Sequence, residues 1–170
     1  IVTALYHHQR AQQLRQRCVQ ERNVRLCRDA QNDYALAAEA YRGYLERYPN
    51  NPQGYELHYN LADALYWSTA YEQAATEYAE VRDSNVDDRY LAESARRVVE
   101  SLKRIADQDV EEGRLVVRSD PPTAVGDPLA VSPVAMPQTV QRLAQAREIY
   151  LARVSEERDT EKVRAAYDYN

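Results

Sequence analysis

Phenylalanine is absent from this chain, and glycine, methionine, tryptophan and cysteine are scarce, with four Gly, one Met, one Trp and two Cys in 170 residues. Each shortage excludes something. Four glycines leave little material for a backbone cradle around phosphate, and no G-x-G-x-x-G or P-loop pattern occurs. The two cysteines, Cys18 and Cys27, form no C-x-x-C pair and share no zinc-type spacing with His7, His8 or His58. His7 and His8 are neighbours and point about 100° apart on a helix, so no metal is expected there. No apolar run approaches the roughly eighteen residues that span a bilayer, so no membrane span is expected. The chain begins at Ile1, which reads as a mature or excised piece and says nothing about location.

Charge is also one-sided in kind. Of the 22 basic residues only Lys103 and Lys162 are lysines, a bias that a GC-rich coding sequence produces. The arginines are scattered, and the net charge is −5. A nucleic-acid partner, which calls for a basic stripe, is not expected. No Ser/His/Asp or Cys/His set has a spacing that argues for catalysis. The carboxylate pairs Asp87-Asp88, Glu111-Glu112 and Glu156-Glu157 read as helix caps and solvated faces. Neither an enzyme nor a cofactor is expected.

What the chain does have is helical periodicity and fourteen tyrosines, whose amphipathic rings suit half-buried positions. Ile1, Ala4, Leu5, His8, Ala11, Leu14 and Cys18 recur at spacings of three and four, which predicts a helix over about residues 1–17 with His8 in its core. Residues 18–31 (CVQERNVRLCRDAQ) are polar and break the stripe, so they read as an insertion between helices. Asn32-Asp33 caps a helix to about residue 47, where Tyr48-Pro49 ends it. Further helices are expected at about 53–68, 71–84, 88–111 and 138–156, with another begun after Thr160. Five of seven prolines fall between residues 113 and 137, predicting an extended arm packed on the helices, or a linker. The domain reading is helical repeats over 1–112, the Pro-rich arm over 113–137, and C-terminal helices over 138–170.

A repeated phrase organises the helices. Residues 55–88 fit a frame of about 34 residues, with Leu61 and Ala62 in a first helix and Tyr71, Ala74, Tyr78 and Val81 in a second. One unit earlier, Tyr34, Ala37, Tyr41 and Tyr44 take the same four places, and Pro49 closes the unit. A small residue at a helix crossing with an aromatic four positions later suits antiparallel helices stacking on a third.

These phrases, NDYALAAEAYRGYLERYPNNP and TAYEQAATEYAEVRDSNVDD, resemble the tetratricopeptide repeat family. The run YRGYLERYPNNPQGYELHYNLADALYWSTAYEQAATEYAEV is similar to periplasmic repeat proteins of gliding and predatory bacteria, the adventurous gliding motility proteins. It is also similar to envelope lipoproteins that assist outer-membrane assembly and cell division. The resemblance is specific over about 32–106 and departs at the cysteine-bearing stretch and the Pro-rich arm. It implies an all-α fold of antiparallel hairpins in a short right-handed solenoid, and a periplasmic or envelope-associated scaffold that binds proteins or peptides. A partner groove on the first helices would place Glu56, Tyr59, Asp63, Tyr66 and Trp67 toward the ligand, Trp67 alternatively packing on a neighbour. The cysteines are two unrelated thiols in a cytosolic protein and a loop-closing disulfide in an exported one; the resemblance favours the disulfide. Alternatives to an envelope scaffold, of the gliding-motility kind, are a generic peptide-binding module, an accessory domain of a larger cell-wall enzyme, and a cytosolic adaptor.

Overall fold

The computed structural model describes residues 1–116 and 135–154. Among these residues the protein is all-helical, with no strand: α1 (Val2–Glu21), α2 (Val24–Arg47), α3 (Gly54–Trp67), α4 (Tyr71–Asp83), α5 (Leu91–Glu111) and α6 (Gln138–Arg153). Most of the Pro-rich arm and the expected tail after Thr160 lie outside the described residues.

Each helix packs against the next in sequence. Pairing runs antiparallel within each hairpin: Cys18 meets Cys27 while His8 meets Tyr41, and Tyr66 meets Tyr71 while His58 meets Glu77. Contacts two helices apart run parallel. His8 approaches Asp63 and Arg15 covers Trp67 between α1 and α3; Arg142 binds Glu72 and Arg153 approaches Asp83 between α4 and α6. The result is two layers, α1, α3 and α5 in one and α2, α4 and α6 in the other.

The crossing residues behave as their size demands. Ala37 and Ala74 are wholly excluded from water, so a neighbouring helix can approach with no side chain between. Tyr34, Tyr41 and Tyr78 fill the spaces beside them as fully buried side chains. Tyr34 and Tyr71 stand 37 positions apart, so the two units do not share one 34-residue period.

The stretch 18–31 corrects the sequence reading: it is not an insertion. Helix α1 continues through Cys18 to Glu21, Arg22 takes a left-handed conformation (φ 50°), and Asn23 caps α2 by accepting from the Arg25 backbone N–H. Cys18 and Cys27 are disulfide-bonded across this turn, with Cα atoms 5.1 Å apart. At about 1.5 Å per residue, α2 outreaches α3 by roughly 15 Å. Among the described residues the overhanging tip has no third helix beside it, and Val19 and Val24 are 71% and 72% exposed. A covalent staple stands where an apolar stripe would otherwise hold the pair.

The α3–α4 turn is closed by two backbone bonds, Thr69 N–H to the Tyr66 carbonyl and Ala70 N–H to the Leu65 carbonyl. This is the Schellman arrangement, whose left-handed residue is usually glycine; here it is Thr69, at φ 71°. At the end of α5, Gly113 supplies a left-handed turn (φ 72°), and the Leu115 N–H returns to the Asp109 carbonyl at 2.9 Å.

Candidate interaction face

The layer of α1, α3 and α5 carries the five residues expected to face a partner, because spacings of three and four from Glu56 onward keep them on one side of α3. Their surroundings differ. Glu56 is exposed and lies 3.9 Å from the Arg89 guanidinium. Tyr59 is half-buried, stacked on Tyr90 with ring centroids 4.1 Å apart and planes 8° from parallel, and edge-on to Tyr78. Burial first, then the charges of Asp63 and Glu93, push its hydroxyl up to about 12.

Asp63 sits deeper. It accepts a hydrogen bond from the Tyr78 hydroxyl at 3.0 Å, and His8 Nε2 lies 3.8 Å from its other oxygen. Burial opposes its ionisation, but the His8 and Tyr78 contacts and the Arg97 charge outweigh that and hold the carboxyl below its ordinary value. The Tyr78 hydroxyl is driven up, by burial first and then by the Asp63 charge. His8 is a core histidine as expected, its Nδ1 3.2 Å from the Tyr41 hydroxyl. His7 turns elsewhere, to Asp33 at 2.8 Å.

Tyr66 and Trp67 part company. Tyr66 is only 7% exposed, edge-on to both Trp67 and Tyr71, and offers a partner little surface. Trp67 is half-buried, with the Arg15 guanidinium 3.8 Å above its ring and Arg97 5.6 Å away; Tyr34 stacks nearby at 6.4 Å. A cation held over an indole face is an electrostatic contact that still leaves donors for a further acceptor.

Arg15, Arg97 and Tyr90 complete this face, and sequence reasoning missed them. Arg97 is bound by Glu93 and Glu100, and Arg96 lies between the same two carboxylates. A signal for Arg15 existed: it continues the Ala4, His8, Ala11 line of α1 at the next helical step. An arginine there reads as solvated until the tryptophan above it is placed.

Three cavities, of about 460, 470 and 330 Å³, lie elsewhere. The first opens between the α3–α4 turn, α5 and the start of α6; the second between α4, α5 and α6; the third beside the α2–α3 connection. None is lined by Glu56, Tyr59, Asp63, Tyr66 or Trp67. The face itself is built of stacked rings and ion pairs: Tyr59 on Tyr90, Arg15 over Trp67, and Arg97 held by Glu93 and Glu100. Among the described residues no helix is long and apolar enough to cross a membrane. No protein-family model, curated protein or solved structure matches this chain.

Proposed function

We propose that this protein is a non-catalytic scaffold of a bacterial envelope machine, of the gliding-motility kind. In this reading the six helices of the described residues form a short tetratricopeptide-like, right-handed solenoid that holds other proteins. The observation that carries the proposal is the α1–α3–α5 face, where Arg15 and Arg97 flank a half-exposed Trp67. Tryptophan and arginine are the side chains over-represented where partners bind most strongly. A non-catalytic role accords with the pairing of the charged groups here: Asp63 is held by Tyr78, and Glu93 and Glu100 by Arg96 and Arg97. The Cys18–Cys27 disulfide supports an oxidising compartment such as the periplasm.

The test is affinity capture from envelope extract with the wild-type chain and an Arg15→Ala, Trp67→Ala variant whose helicity is checked by circular dichroism. Partners retained by the wild type and lost by the folded variant are expected. Equal recovery by both removes this face from the proposal.

A further inference from the structure

We propose that His58, Glu77 and Glu80 form a binding site for a divalent first-row transition-metal ion of the zinc type, clamping α3 to α4. Glu77 and Glu80 stand three apart on α4 and so project from one side of it. His58 comes from α3, running antiparallel alongside. The His58 Nδ1 lies 3.0 Å from a Glu77 carboxylate oxygen, and one donor atom from each of the three residues falls within 4.8 Å of the others. Bonds of about 2.0–2.2 Å to nitrogen and oxygen put neighbouring ligand atoms of a tetrahedral ion roughly 3.4 Å apart. From within 4.8 Å, that spacing calls for a movement of only about 1.4 Å, which carboxylates on flexible stems can make.

Two further observations separate this group from an ordinary surface ion pair. Glu80 has no hydrogen bond or ion pair among the described residues, although it lies beside the His58–Glu77 contact. His58 and Glu80 also line the 330 Å³ cavity, with Pro49, Asn51, Tyr55 and Ser84 on its other walls. An ion on these ligands has a fourth position open to that cavity, where water or a partner's side chain completes the shell. One imidazole and two carboxylates suit Zn²⁺ and its first-row neighbours; Ca²⁺ and Mg²⁺ prefer oxygen alone. The site lies apart from the Trp67 face and does not rest on the scaffold reading.

The experiment is titration of the metal-free full chain with Zn²⁺ by calorimetry, and with Co²⁺ by visible absorption, which reports coordination geometry. The expected result is one equivalent bound, with affinity falling at least tenfold in Glu80→Ala and in His58→Ala and unchanged in His7→Ala. Glu80 is exposed, so its variant keeps the fold, and circular dichroism verifies this. Zn²⁺ is also expected to raise the melting temperature of the wild type and not of Glu80→Ala. Absence of binding at millimolar Zn²⁺, or equal affinity in wild type and Glu80→Ala, overturns the proposal.

Discussion

At the scale of single residues, Asp63 joins three helices on the candidate face, through Tyr78 and His8. Its carboxylate is the acceptor for Tyr78, whose ring is wholly buried. Asp63→Ala leaves that hydroxyl without its partner, and a hydrogen bond to a charged group contributes about 2 kcal/mol. The expected outcome is a loss of that size in denaturant unfolding, with Asp63→Asn losing less because an amide oxygen still accepts. The pH dependence has a definite sign. A carboxyl whose folded pKa lies below its ordinary 3.8 stabilises the fold fully above that value, and the contribution disappears as pH falls through the folded pKa. Acid unfolding of Asp63→Asn should therefore show a shallower loss of stability below about pH 4 than the wild type. Parallel acid limbs would mean that the aspartate is not selectively ionised in the fold.

At the scale of the helices, most of the architecture was legible because two residue types mark it. Alanine at Ala37 and Ala74, each followed four positions later by tyrosine, is the pattern of one helix crossing another, and both alanines are buried. The tip of the first hairpin was not legible, for a physical reason. An apolar stripe appears only where a helix has something to pack against, and α1 and α2 run past the end of α3 with a disulfide as their link. Reducing it should loosen the ends of both helices and leave the Ala37 region intact. The total stability should fall by about 2–3 kcal/mol, with faster amide exchange confined to about residues 15–30. On the candidate face, helical spacing places the five α3 residues along one side of the helix, but the arginines of α1 and α5 that meet Trp67 require the folded pairing. The α3–α4 turn offers a prediction in the opposite direction. Thr69 occupies a left-handed position (φ 71°) that a β-branched side chain resists and glycine adopts freely. Thr69→Gly should raise stability by about 1 kcal/mol, seen as a higher melting temperature with an unchanged circular dichroism spectrum.

At the scale of the whole molecule, what matters is that the extensive packing is between sequence neighbours. Contacts two helices apart are mostly single ion pairs and ring contacts, such as Arg142 with Glu72 and Arg15 over Trp67. A chain built this way approaches a linear array, in which each hairpin's stability is its own plus that of its interfaces. The centre should then hold longest, because α3 and α4 are covered on both sides, whereas the described structure places only α5 against α6 as a sequence neighbour. Leu61 in α3 and Leu143 in α6 are both buried, so the loss of side chain is the same in Leu61→Ala and Leu143→Ala. Their consequences should differ. Leu61→Ala should cost about 3 kcal/mol and raise amide exchange across α2 to α4, since opening α3 uncovers both neighbours. Leu143→Ala should raise exchange in α6 and the facing part of α5 while leaving α1 to α3 protected. Native-state hydrogen exchange read peptide by peptide decides this. Uniform loss of protection in the Leu143 variant would show that the two layers unfold as one body, coupled by the ring and ion-pair contacts between alternate helices.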